Sequence, residues 1–115
     1  MNYDNTIAQM KKGVLDMCIL SLLETTDAYP SDIIHKLKES DLIVVEGTMY
    51  PLLTRLKNSG LLEYYWIESN SGPPRKYYKI TESGKVSLNL LRTGWNSFVS
   101  NVNQSLNLTN NNNHE

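Results

Sequence analysis

The chain has 115 residues, with 11 lysines and arginines against 12 aspartates and glutamates, and a formal net charge of −1. This length fits one domain with a modest core, which an oligomer interface would enlarge. No apolar run approaches the roughly 18 residues of a transmembrane helix, and the polar segment 1–12 does not resemble a secretory signal, so we expect a cytoplasmic protein without membrane contact.

A first helix is predicted from Asn5 or Thr6, either of which can cap its N-terminus, to about Glu24. Apolar side chains recur along it at helical spacing, which is typical of a scaffold helix. They include Ile7, Met10, Val14, Met17, Cys18 and Leu22. Cys18 is the only cysteine. It cannot form an internal disulfide, and we interpret it as a small core residue rather than a redox sensor.

A second helix is predicted to begin at Pro30 or Ser31 and to end at Glu39, because proline is favourable at a helix start. The residues expected to face inward are Ile33, Ile34 and Leu37. In a helix-turn-helix, this helix crosses the DNA backbone and supports the helix that reads the bases. A short extended link, 41–46, follows it.

The third helix falls within residues 47–60. Its apolar residues lie at i, i+3, i+4 and i+7 and form one stripe: Met49, Leu52, Leu53 and Leu56. Gly60 is expected to end the helix in the left-handed conformation, and Pro51 is expected within about the first turn, where a missing N–H costs little. The opposite face carries Pro51, Thr54, Arg55 and Asn58 but no carboxylate. This segment alone would also fit an ordinary amphipathic surface helix.

Two strands are predicted directly after this helix, at 61–66 and 75–80, joined by the turn-rich segment 69–74. A helix followed by a hairpin with a basic rim is the layout of a winged helix-turn-helix. We therefore expect a mainly α fold with a small β-hairpin wing. The aromatic residues of the strands are expected to pack in the core or the hairpin rather than to stack on single-stranded nucleic acid.

Thr81 is expected to cap a last helix that runs to about Leu106. Five apolar residues in it are spaced 3, 4, 3 and 4 and form an a/d seam: Leu88, Leu91, Trp95, Phe98 and Val102. We interpret the seam as a homodimer interface, with packing on its own domain as the alternative. The asparagine-rich end is predicted to be disordered. The predicted parts are thus a winged domain (1–81), a dimerisation helix (82–106) and a tail (107–115).

Two stretches of the sequence resemble the PadR family of transcriptional regulators. The first is Gly-Thr-Met-Tyr-Pro-Leu-Leu-Thr-Arg-Leu at 47–56 with Ser-Gly-Leu-Leu at 59–62, and the second is Gly-Pro-Pro-Arg-Lys-Tyr-Tyr-Lys-Ile-Thr-Glu-Ser-Gly at 72–84. They keep the family's order and approximate spacing. The chain departs from the family at Pro30-Ser31, where members usually carry Gly-Tyr. The resemblance implies a DNA-binding regulator, usually a repressor, built from a winged domain and one C-terminal helix.

The uneven distribution of charge agrees with a nucleic-acid partner. Residues 1–46 carry four lysines and eight acidic residues, a net −4, whereas residues 47–94 carry seven basic and three acidic residues, a net +4. The positive segment contains the proposed recognition helix and wing, and phosphate binding needs such an excess. A four-charge excess can also arise by chance.

A homodimer would present two recognition helices to successive major grooves of a palindromic operator in double-stranded DNA, about 34 Å apart. We expect Arg55 to contact a guanine edge, because a guanidinium can pair with guanine through two hydrogen bonds. The other contact residues expected on this helix are Thr48, Tyr50, Pro51, Thr54 and Asn58. Arg75 and Lys76 in the wing are expected to bind phosphate or to reach the minor groove.

The resemblance also implies an effector site. In the multidrug-sensing branch of the family, a tryptophan on the C-terminal helix lines a cavity at the dimer interface and stacks on flat hydrophobic compounds, and Trp95 matches its place. Leu91, Phe98 and, across the interface, Met10 and Val14 would complete the wall for a planar hydrophobic effector. The alternative is that Trp95 only fills the dimer core, and whether the effector is a drug, a phenolic acid or absent is left open.

Two other classes of function remain. A winged-helix module that binds another protein without DNA is the first. An enzyme is the second, but the sequence has no nucleophile–base pair, no Gly-rich phosphate loop and no carboxylate pair on a predicted cleft, so no catalytic residues are expected. His35 and His114 lie apart from other ligating residues, so neither a metal nor a cofactor is expected.

Overall fold

The computed structural model describes residues 1–108. Within them the chain forms five helices and one two-stranded antiparallel sheet. In chain order these are α1 (Tyr3–Lys12), α2 (Leu15–Thr25), α3 (Pro30–Glu39), α4 (Glu46–Asn58), β1 (Leu62–Ile67), β2 (Arg75–Ile80) and α5 (Glu82–Ser105). Of the segment predicted to be disordered, residues 109–115 lie outside the described part. No helix within residues 1–108 is long and apolar enough to span a membrane.

The prediction of one continuous first helix is wrong. α1 ends at Lys12, and Gly13 and Val14 separate it from α2. Glycine costs about 1 kcal/mol relative to alanine inside a helix, a local effect that apolar spacing does not register. The predicted cap is also wrong, because the side chain of Asn2 accepts a hydrogen bond from the Asn5 N–H at 3.0 Å.

One core holds α2–α5 and the hairpin together, and α1 contributes no buried residue to it. The core side chains are Leu15, Ile19, Leu20, Leu23, Ala28, Ile33, Leu37, Val44, Met49, Leu53, Leu56, Leu62, Tyr78, Ile80 and Leu88. The predicted apolar stripe of α4 and the inward residues of α3 are confirmed, with Ile34 and Leu52 partly buried. Cys18 also packs against this core, and burial raises the pKa of its thiol.

The end of α4 follows its sequence signal. Gly60 has φ +80°, its N–H donates to the Lys57 carbonyl, and the Leu61 N–H donates to the Leu56 carbonyl, both at 3.0 Å. This is a Schellman motif, as the glycine predicted. Pro51, however, lies inside α4 rather than in its first turn, because the helix already begins at Glu46.

Thr81 joins α4 to α5. Its hydroxyl accepts a hydrogen bond from the Gly84 N–H at 3.0 Å, which is the predicted N-cap, and donates another to the Gly60 carbonyl at 2.7 Å. The Thr81 N–H donates to the Leu61 carbonyl at 3.1 Å. The end of α4 and the first turn of α5 therefore meet at one residue.

The hairpin is fixed on both sides of β2. β1 and β2 pair antiparallel from Leu62 opposite Ile80 to Ile67 opposite Arg75. On the other edge of β2, Ala28 and Tyr78 exchange two backbone hydrogen bonds of 3.2 and 2.8 Å. The link between α2 and α3 thus covers an edge that would otherwise expose unpaired backbone groups.

Candidate nucleic-acid interface

The polar face of α4 is exposed, because its apolar stripe is turned into the core. All six residues predicted on this helix for DNA contact lie on the exposed surface: Thr48, Tyr50, Pro51, Thr54, Arg55 and Asn58. Five of them, all except Thr48, border one shallow depression. The structure therefore brings the predicted set together on one side of the helix, while their contacts with DNA stay a prediction.

Arg55 does not stand alone on this face. Its Nη1 donates to Oδ2 of Asp16 at 2.7 Å and its Nη2 donates to Oδ1 at 2.9 Å. The hydrogen bonds and the charge of Asp16 raise the pKa of Arg55 above its ordinary value. Sequence reasoning missed Asp16, because it lies 39 residues away on α2 and no local pattern connects the two.

The two basic residues predicted in the wing both contact aromatic rings. The Arg75 guanidinium lies 4.4 Å from the centroid of Tyr29, and Lys76 Nζ lies 4.0 Å from the centroid of Tyr64. Such contacts hold a cation in place without neutralising it. The aromatic residues of the hairpin pack on one another, as predicted, in pairs that include Tyr65 with Tyr77 at 5.9 Å.

Lys57 joins the wing from the end of α4. Its Nζ lies 5.6 Å from the same Tyr64 ring that Lys76 contacts. The helix and the hairpin therefore bring two ammonium groups to one aromatic side chain. Sequence reasoning did not select Lys57 for DNA contact, and its position next to the wing follows from the packing of α4 against β1.

Ion pairing neutralises some of the basic residues of 47–94 and leaves others without a carboxylate neighbour. Three of the seven basic residues of 47–94 have a carboxylate within 4 Å: Arg55 with Asp16, Lys85 with Glu82, and Arg92 with Glu24. Within residues 1–108 the other four have none, and they lie on α4 and β2: Lys57, Arg75, Lys76 and Lys79. Basic side chains without a carboxylate neighbour, on a helix and the adjoining hairpin, are suited to binding the phosphates of a nucleic acid.

A second surface feature is an apolar groove of about 890 Å³ between α5 and the α1–α2 junction. Its walls include all five residues predicted for an effector: Met10, Val14, Leu91, Trp95 and Phe98. The rings of Trp95 and Phe98 lie 6.4 Å apart. Met10 and Val14 were expected from a partner chain, but here they line the groove together with Trp95 of the same chain.

The sequence pattern described as the "Transcriptional regulator PadR-like family" matches residues 19–90, which is more than half of the chain. The chain belongs to this family. The PadR-like region runs from α2 through the first turns of α5, so it includes the exposed face of α4 and the wing.

Solved structures agree with this assignment. The chain is 57% identical to a PadR-like transcription factor from Bacteroides fragilis, with a TM-score of 0.74 over 87% of this chain and 97% of that one. It is 31% identical to a PadR family transcriptional regulator from Eggerthella lenta, with a TM-score of 0.82 over 95% and 99%. An uncharacterized protein of Lysinibacillus sphaericus is 32% identical and matches over 73% of this chain and 80% of its own length. The predicted fold, mainly α with a β-hairpin wing, is confirmed.

Proposed function

We propose that this PadR-like regulator binds double-stranded DNA as a homodimer at a palindromic operator and acts as a repressor. The observation that carries the proposal is the meeting of Lys57 from α4 and Lys76 from β2 on the Tyr64 ring, without a carboxylate within 4 Å of either. Two ammonium groups at one ring, with no carboxylate to neutralise either, would bind a DNA phosphate through charge-assisted hydrogen bonds. The exposed polar face of α4 lies on the same helix and would enter the major groove.

The homodimer is supported by the second half of α5. Leu88 is fully buried in the core, but beyond it Leu91, Trp95 and Phe98 are 42, 41 and 60% exposed. An apolar seam of this kind on one helix is usually covered by another chain. Leu88, which was predicted for the dimer interface, instead packs within its own domain. A two-fold pairing of α5 with its copy would cover the other four predicted residues, Leu91, Trp95, Phe98 and Val102, and would set the separation of the two α4 helices.

The groove, whose walls include residues of the seam, supports an effector role for a planar hydrophobic compound. Trp95 and Phe98 offer large flat faces, and a pocket of several hundred cubic ångströms is the usual size for such ligands. A ligand can release DNA only if it binds more tightly to a dimer geometry in which the two recognition helices no longer match the operator.

Selection of random duplex DNA by the purified chain, followed by fluorescence anisotropy on the selected duplex, tests the DNA-binding proposal. We expect a palindrome whose half-sites lie about one helical turn apart, bound with a steep salt dependence. Lys76→Ala should weaken binding to all duplexes alike and reduce the slope of log affinity against log salt by about one. No enrichment and no salt-dependent binding would refute the proposal and favour a protein-interaction module.

The effector proposal has a separate readout in tryptophan fluorescence. In a Trp66→Phe variant the remaining tryptophan is Trp95, so a planar dye that enters the groove should quench its emission and weaken operator binding. Unchanged Trp95 emission at saturating dye would show that Trp95 is only a packing residue.

A further inference from the structure

We propose that Asp16 is a positioning residue of the DNA-reading surface: its carboxylate holds the Arg55 guanidinium in the orientation that reads a guanine. The proposal rests on the DNA-binding function proposed above. It starts from the two parallel hydrogen bonds, 2.7 and 2.9 Å long, between Asp16 on α2 and Arg55 on α4.

The donor geometry of Arg55 leaves room for both partners. A guanidinium has five N–H donors in a plane, and Asp16 takes one from each Nη group. The Nε–H and the remaining N–H of the neighbouring Nη group point in parallel from the side edge of the guanidinium, so they form a second pair of donors. A guanine presents O6 and N7 as two neighbouring acceptors in the major groove, which such a pair can meet. Arg55 can therefore be held by Asp16 and read a base at the same time.

Asp16 is a fixed support, whereas Arg55 points outward. The Asp16 side chain is 26% exposed and follows Leu15 in the first turn of α2, where Leu15 and Ile19 are buried in the core. The Arg55 side chain is 56% exposed. A free arginine loses much rotamer freedom when it binds, and a planar fork that is already oriented loses less.

Stability alone does not account for this pair. Exposed ion pairs contribute little to folding, since solvent and salt screen them. A second pair on the same helix, Glu24 with Arg92 at 3.0 Å, has similar exposure but faces α5 rather than α4. It offers a matched comparison, because the same chemical change can be made at Asp16 and at Glu24.

The opposite role for Asp16 is that of a shield, meaning that it inhibits DNA binding. In that role its negative charge repels phosphate and its hydrogen bonds keep Arg55 from DNA. The two roles predict different outcomes when the carboxylate is removed. Loss of a support weakens binding to the operator and leaves binding to unrelated DNA almost unchanged. Loss of a shield strengthens binding to every duplex, because a repulsive charge has gone and a cation has been freed.

The experiment compares the full chain with Asp16→Ala, Asp16→Asn, Arg55→Ala, the double variant Asp16→Ala/Arg55→Ala and the control Glu24→Ala. Anisotropy at one salt concentration gives the affinity for the selected operator and for a scrambled duplex of equal length. We expect Asp16→Ala to lower the operator-to-scrambled ratio by about tenfold, within the range of one bidentate base contact. Asp16→Asn keeps one acceptor and should lose less, and Glu24→Ala should leave the ratio unchanged.

The double variant separates positioning from an independent effect. If Asp16 acts through Arg55, removing Asp16 from Arg55→Ala should change the ratio no further. Equal strengthening of both duplexes by Asp16→Ala, or an unchanged ratio, would overturn the proposal while leaving the DNA-binding function in place. A wild-type chain that binds no duplex in a salt-dependent way would instead refute that function, and this proposal with it. Circular dichroism spectra matching the wild type exclude misfolding as the cause of any loss.

Discussion

Gly84 lies where α5 touches the end of α4, and an alanine there should not fit. A β-carbon at this position would overlap the Leu61 carbonyl oxygen and Cγ1 of Ile80. The backbone at Gly84 and at Leu61 cannot easily move apart, because both are hydrogen-bonded to Thr81. The Gly84 N–H donates to the Thr81 hydroxyl, and the Leu61 carbonyl accepts the Thr81 N–H. The overlap therefore has to strain the junction or break its hydrogen bonds.

The size of the effect follows from two opposing contributions. Replacing an exposed helical glycine by alanine stabilises a helix by roughly 0.5–1 kcal/mol. Overpacking a tight site costs roughly 1–3 kcal/mol, and a clash with backbone falls at the upper end. We expect Gly84→Ala to lower the free energy of unfolding by about 2 kcal/mol and the melting temperature by roughly 10 °C.

Gly94 provides the control within the same helix, because a β-carbon there would meet nothing within 4 Å. Urea and thermal unfolding, followed by circular dichroism at one chain concentration, should show Gly94→Ala at least as stable as the wild type and Gly84→Ala clearly less stable. Light scattering should give the same oligomeric state for all three chains. Equal stability of the two variants would refute the reasoning from the close contact.

Three further predictions concern the rest of the chain. Asp41 has φ +61° at the end of α3, so Asp41→Gly should raise the free energy of unfolding by roughly 0.5–1 kcal/mol in urea unfolding. If α5 pairs two chains through Phe98, the melting temperature should rise with chain concentration, by the equivalent of about 1.4 kcal/mol per tenfold, and Phe98→Lys should abolish that dependence. The hydrogen bond to Asp27 raises the pKa of Tyr65, so an ultraviolet absorbance titration should show one late-ionising phenol that Asp27→Asn shifts to lower pH. The stabilisation from this bond is present below the ordinary tyrosine pKa and is lost as the pH rises through the raised one.

Each of these predictions has its own control. Destabilisation by Asp41→Gly would mean that its side chain matters more than its backbone conformation. A concentration-independent melting temperature in the wild type would count against pairing through α5. Tyr65→Phe should remove the late-ionising phenol, and its persistence in that variant would assign it to another tyrosine.

The elements predicted correctly from the sequence carry strong local signals. Pro30 at a helix start, Gly60 after the apolar stripe and Thr81 before α5 each set a boundary through backbone chemistry that a few neighbouring residues decide. For the same reason, the exposed face of α4 was predictable: once the stripe of Met49, Leu53 and Leu56 is buried, the helical period decides what points outward.

What the sequence did not predict depends on distant contacts or on competition between signals. The pairing of Asp16 with Arg55 joins residues of α2 and α4 that are distant in sequence and that only the tertiary fold brings together. The break at Gly13 was missed because the apolar spacing continues across it, from Met10 through Val14 to Met17. The roles of Arg55 on DNA and of the α5 seam in a dimer stay predictions.

The hydrogen bonds around Thr81 connect the end of α4 to the first turn of α5, so we expect the two to move together as one rigid unit. Trp95 lies 14 residues after Thr81, which is about 21 Å along the helix axis. If two chains pivot against each other near Trp95, a rotation of about 10° displaces each Thr81 junction by about 4 Å, close to the 3.4 Å rise of one base pair. If α4 reads DNA as proposed, a change at the seam too small to unfold anything would therefore move each α4 by about the rise of one base pair.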